Sequence, residues 1–225
     1  MAEPRPLMTG SAATEDLVPR LRGVSHAGAA VLAIAAAAVV IVIAPAGRAT
    51  VAAAIYGTAL IALFGCSALY HRWPGPARFK PVLQQIDHST IFVFIAASYT
   101  PVALVLLHGS LVWVILGVAW TGAVAGIAFS LGWIQAPRSL VAGSYLALGW
   151  VAVIAIPQLL GDARVAPLVL LATGGLLYSA GAVVYARRRP DPWPRTFGFH
   201  EVFHAFVIAA ATVQYVALVG WVLTV

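Results

Sequence analysis

Residues 24–44 read VSHAGAAVLAIAAAAVVIVIA, and after the break Pro45-Ala46-Gly47-Arg48 the apolar run resumes over 50–70 as TVAAAIYGTALIALFGCSALY. Neither run contains an Asp, Glu, Lys or Arg, and each reaches the ~20 residues a helix needs to cross hydrocarbon. Lipid admits only helices or closed barrels, and both runs far exceed the alternating ~10-residue segments of a barrel strand. Outward from this pair, five more runs occupy 87–107, 111–131, 140–160, 165–186 and 199–223. The breaks collect helix-stopping residues: His71-Arg72-Trp73-Pro74-Gly75-Pro76, His108-Gly109, Gln135-Ala136-Pro137-Arg138, Gly161-Asp162, and Arg187 through Pro194. Proline lacks a backbone donor and glycine takes turn conformations readily, so these clusters end helices. The expected fold class is all-α: a polytopic seven-transmembrane-helix bundle over 23–225. Residues 1–22, polar and with three prolines, are expected to form a disordered cytoplasmic tail.

Composition agrees with the runs. Of 225 residues, 62% are hydrophobic and 9% charged, against about 45–50% and about 25% in an ordinary soluble domain. With a mean hydropathy of +0.95, the chain could not hide its apolar surface in water. A soluble secreted enzyme, a nucleic-acid-binding module and a disordered protein are excluded. The single cysteine, Cys66, excludes an internal disulfide framework and a cysteine-cluster metal site. The first span is expected to be retained, because its apolar core exceeds the ~7–15 residues of a signal peptide. Gly122-Ala-Val-Ala-Gly126 supplies a small-residue face for close helix packing.

The net charge of +6 is a topology signal. All of the 13 basic residues except Arg48 and Arg164 fall in segments on the N-terminal side of the membrane. Positive-inside asymmetry then predicts a cytoplasmic N-terminus and an external C-terminus. The partners this implies are membrane lipids, including anionic headgroups, and not nucleic acid.

Ionisable side chains within spans are costly unless paired or coordinating, so each is a candidate site. His71 closes the second span, Asp87 is expected to open the third, and His200, Glu201 and His204 begin the seventh. Alternating helix direction puts all of them at one depth, near the cytoplasmic face. His200 and His204 are one helical turn apart and share a face, so they can offer two nitrogens to one ion. His71 can supply a third, which would leave a tetrahedral zinc its fourth position for water. Ser67 lies one turn before His71, and Asp87 can orient a histidine or the water. Nitrogen donors with few carboxylates favour zinc over calcium or magnesium. His200-Glu201-Val202-Phe203-His204 also fits H-E-x-x-H, which offers Glu201 as a base, although a carboxylate is equally at home at a helix N-terminus. His88 points about 100° away from Asp87, and His26 and His108 are expected at the membrane interfaces. Tyr99 and Pro101 are expected to shape the third span, where a kink could open a cavity.

Ser67-Ala-Leu-Tyr-His71, Asp87 in Gln-Ile-Asp-His-Ser, and His200-Glu-Val-Phe-His204 resemble the S-x3-H, D and H-x3-H motifs of hemolysin III proteins. That family is the bacterial branch of the progestin and adipoQ receptors, within the alkaline-ceramidase-like membrane hydrolases. The resemblance covers the membrane domain. It implies seven spans with the N-terminus inside, zinc bound by His71, His200 and His204, and Asp87 and Ser67 positioning the water.

The leading expectation is a zinc-dependent hydrolase of lipid amide or ester bonds, with Asp87, aided by Ser67 and Glu201, handling the proton. The alternatives are a non-enzymatic receptor or membrane-stress regulator with structural zinc, a pore-forming cytolysin, and an intramembrane protease. Thr121, Ser144, Thr173, Ser179 and Gln214 are scattered and form no continuous polar stripe, which weighs against a channel.

Overall fold

A run of about 20 apolar residues satisfies its own backbone by coiling, which hydrocarbon demands because it offers no competing hydrogen bonds. In the computed structural model, which describes residues 18–162 and 165–223, the chain does this seven times. Helix α1 spans Val24–Ile43, α2 Arg48–Arg72, α3 Lys80–Pro101 and α4 Leu111–Gly132. The fifth span is composite, with α5 over Arg138–Gly149, a 3-10 stretch over Trp150–Ala155 and α6 over Ile156–Gly161. Helices α7, Val165–Arg187, and α8, Phe199–Ala217, complete the bundle. Among the described residues no strand occurs, only an isolated bridge between Trp193 and Phe197.

Two spans depart from the expected boundaries. Helix α3 starts at Lys80, so Asp87 does not open it but sits about 10 Å inside, at seven residues of ~1.5 Å each. Pro81 in the first turn supplies the fixed φ and missing donor that suit a helix start. An apolar run cannot reveal this start, because the first turns of α3 carry Lys80, Gln84 and Gln85. At the far end Pro101 interrupts the ladder and the span finishes as a wider π turn over Val102–Leu106. The second departure is the break in span five, which Tyr99 fills. Its hydroxyl donates to the carbonyls of Leu148, at 3.0 Å, and Gly149, and accepts the Ala152 N–H at 2.8 Å.

Packing relies on small residues, as expected where apolar surfaces gain nothing by leaving lipid. A Cβ at Gly57 would stand 2.9 Å from that of Ala37, so α1 and α2 touch nearly backbone to backbone. Gly126 leaves room for the Phe92 ring and Gly122 for Leu148, seating α4 between α3 and α5. The outer surface is apolar: Val42 is 84% exposed and Leu32 71%, the reverse of a water-soluble helix.

Two features frame the candidate site. The first is a chamber of about 250 Å³, which reaches from Asp87 and His200 at one end to Leu107, Leu159 and Leu168 at the other. From residue 87 to 107 the third span climbs about 30 Å, the depth of the hydrocarbon. The second is the segment just before α1. Residues 1–17 of the expected tail lie outside the described residues, but Pro19 is buried and Arg20 and Leu21 donate backbone N–H to the carbonyls of Arg195 and Thr196, both at 3.1 Å. Residues 19–22 therefore form a strap across the loop that leads into α8.

Candidate metal centre

The start of α8 fixes the centre. Its N-cap, Gly198, is extended at φ −94° and carries no capping side chain. Instead Glu201 reaches back, its Oε2 accepting the Gly198 N–H at 2.8 Å, while Asp191 Oδ1 accepts that of Phe199 at 2.8 Å. These contacts neutralise N–H groups that the first turn leaves unpaired. The α8 register follows from them, and with it the inward aim of His200 and His204.

The three sequence-predicted ligands converge. His71, from the end of α2, places Nε2 3.0 Å from Nε2 of His200. One ligand atom each from His71, His200 and His204 lies within 4.8 Å of the others. His204 is 1% exposed, and its Nδ1 finds no partner among the described residues. Two imidazole nitrogens at that separation share a proton or face one cation, and a buried ring nitrogen without a partner is costly. Three nitrogen donors fit zinc, copper, iron or nickel, and not calcium or magnesium.

The accompanying residues divide. Asp87, buried in α3, places Oδ2 4.0 Å from His71 Nε2. Ser67 Oγ lies 2.8 Å from Nδ1 of His26 and neighbours the Asp87 carboxyl. Glu201 takes a different position. One of its oxygens caps Gly198 and the other accepts the Arg22 guanidinium Nε at 2.7 Å, so this 2%-exposed carboxylate fastens the strap. His88 is outside the histidine group and lines the chamber, its carbonyl accepting the Tyr145 hydroxyl at 3.1 Å. His108 stands at the opposite end of the bundle, 3.7 Å from Asp162.

His26 is the residue that the sequence reading missed. It is not interfacial but buried, its ring stacked on His204 with centroids 3.6 Å apart and planes 9° from parallel. Its edge meets Phe64, its Nδ1 meets Ser67, and its Nε2 has no partner among the described residues. The signal was available: α1 begins at the depth where α2 ends and α3 and α8 begin, and His26 lies in its first turn. Gly23, at φ +75°, makes this approach possible, since a Cβ there would fall 2.5 Å from that of His71.

The chain as a whole has relatives. A family model described as haemolysin-III related matches residues 17–215. The chain is 30% identical over 175 residues to Hemolysin-3 of Bacillus cereus, covering 78% of this chain and 77% of that protein. It is 32% identical over 161 residues to the Hemolysin-3 homolog of Bacillus subtilis (strain 168), covering 72% of each. A more distant match, 27% over 177 residues, is the monocyte to macrophage differentiation factor of Homo sapiens, covering 75% of this chain and 69% of that one.

Proposed function

The chain belongs to the haemolysin III-related family as a multi-pass protein of the plasma membrane, and on that footing we propose that it is a zinc-dependent hydrolase of lipid amide or ester bonds. The observation that carries this reading is the position of His71, His200 and His204: one cluster, half-buried at His71 and His200 and buried at His204, at the end of an apolar chamber as deep as the hydrocarbon. Bound zinc supplies Lewis acidity, polarising a carbonyl and making water reactive near neutral pH. Asp87 Oδ2 takes the proton of the attacking water and returns it to the leaving group. Ser67 holds Asp87 and His26 in register, and the chamber receives the chain and excludes water. On this reading Glu201 serves as fastener and Asp87 as base, since the Glu201 oxygens hold Arg22 and Gly198, which weighs against a protease of the H-E-x-x-H kind. The arginines and lysine clustered at this end support a cytoplasmic centre and N-terminus.

The test is a panel of ceramides and phospholipids incubated with intact protein, chelator-treated protein and His204→Ala. Product released by the intact protein alone is the expected result. No difference across the panel would overturn the hydrolase and leave a lipid-binding receptor or regulator with a structural metal. Asp87→Ala should keep its metal and lose about 10²–10⁴-fold in rate; an unchanged rate would remove Asp87 from the chemistry.

His26 is assigned a positioning role: its stacked ring and its bond to Ser67 fix the plane of His204. Partners of this kind are typically worth about 10–100-fold in metal affinity. His26→Phe, which keeps a ring but loses the Ser67 bond, is expected near the lower figure and His26→Ala near the upper. Competition with a chelator of known affinity measures both, and wild-type affinity in His26→Ala would refute the role.

A further inference from the structure

Most polar atoms along the chamber are satisfied locally. Ser98 donates to the carbonyl of Ile95 at 2.7 Å, and the Tyr99 hydroxyl is committed to the break in span five. Two are not. The Tyr178 hydroxyl on α7 and Oε1 of Gln214 on α8 are buried, belong to residues lining the chamber, and find no partner among the described residues. The hydroxyl of Tyr56, also without a partner among the described residues, belongs to a residue outside the lining, on the other side of Phe94.

Tyr178 and Gln214 are close neighbours by construction. Gly174 brings α7 against α8, where a Cβ would stand 3.4 Å from the Ala210 carbonyl and 3.9 Å from Cβ of Gln214. Tyr178 is one turn along α7 from Gly174, on the same face. Both residues are also far from the histidines. Tyr185 packs on His200 with ring centroids 6.0 Å apart, and Tyr178 lies seven residues beyond it, about 10 Å along the helix. Gln214 is ten residues beyond His204, about 15 Å. An amide oxygen accepts and a phenol donates or accepts, so together they can hold one hydroxyl, or the phenol can hold one keto oxygen. A plain methylene chain gives them nothing, and buried polar groups in native proteins rarely stay unpartnered.

We propose that the chamber selects lipid chains carrying a hydroxyl or keto oxygen roughly eight to twelve carbons from the group at the histidines, the length matching that 10–15 Å separation. This rests on the preceding reading for the placement of a lipid chain in the chamber. It adds a second recognition point, Tyr178 and Gln214, and a substrate class, oxygenated acyl chains.

The experiment is displacement of a fluorescent fatty-acid probe from the full-length protein in nanodiscs by stearic acid and by 10-hydroxystearic acid. The wild type should prefer the hydroxylated chain by about tenfold, the scale of one net hydrogen bond. The double variant Tyr178→Phe/Gln214→Leu should bind both alike while keeping its affinity for stearic acid, which also shows that it is folded. Equal binding by the wild type, no displacement by either acid, or an intact preference in the double variant would each overturn the proposal. Binding preference without hydrolysis of any lipid would overturn only the hydrolase reading, whereas hydrolysis without preference would overturn only this one.

Discussion

His204→Ala is expected to purify with less than about a tenth of the zinc of the wild type, with affinity reduced by more than the ~100-fold that loss of an outer partner can cost. The donor set determines this size of effect. Three nitrogens within 4.8 Å of one another are contributed by two helices that meet only in the folded bundle. Removing one leaves two nitrogens, and no cysteine stands within the group to replace it. His71→Ala and His200→Ala should behave alike, whereas His88→Ala and His108→Ala should retain full metal, since neither belongs to the cluster. A second readout separates ligation from misfolding. An ion bound by the native state alone stabilises it by RT ln(1 + [L]/Kd), about 4.1 kcal/mol at a thousandfold excess over Kd. Added zinc should therefore raise the unfolding temperature of the wild type in detergent and leave that of His204→Ala unmoved. Elemental analysis giving wild-type zinc in all three alanine variants would refute the metal centre.

What the sequence made legible is what composition and period encode. The seven spans follow from runs of apolar residues, since a backbone in hydrocarbon has few options. The histidine cluster follows from the alternation of helix direction, which fixes depth without any knowledge of packing. What stayed hidden was lateral. Depth alone could have recruited His26 as easily as His71, but whether its side chain points to the centre or to lipid depends on the rotation of α1. That rotation is fixed by the contacts of Gly23 with His71 and of Gly57 with Ala37. The start of α3 was hidden because polar turns at a membrane surface carry no apolar signature. The role of Glu201 was open between base and cap, and a salt bridge 179 positions away in sequence, to Arg22, decided its surroundings. Nor does an apolar run report a break such as the one in span five, which depends on the Tyr99 hydroxyl arriving from another helix.

Arg22→Ala should free the strap and speed the loss of metal to a water-soluble chelator by about 30–150-fold. Glu201 is 2% exposed and keeps only its bond to Gly198 once the guanidinium is gone. Breaking a buried pair from one side typically costs about 3–5 kcal/mol. Arg22 is itself 21% exposed, so water offsets part of that loss and about 2–3 kcal/mol is the better expectation. The cost falls on a local unit, because the strap from Pro19 to Arg22 is held otherwise by two backbone bonds to Arg195 and Thr196. The strap lies across the loop that leads into α8, so a chelator entering from this side is expected to need the strap open. The population of the open state then sets the rate, and about 1.4 kcal/mol is a factor of ten. Adding Glu201→Gln to Arg22→Ala should recover part of the stability, since the amide oxygen still caps Gly198 and no charge is stranded. A double-mutant cycle with coupling above about 1 kcal/mol is the expected outcome. Chelation at the wild-type rate in Arg22→Ala would show that the strap does not guard the centre.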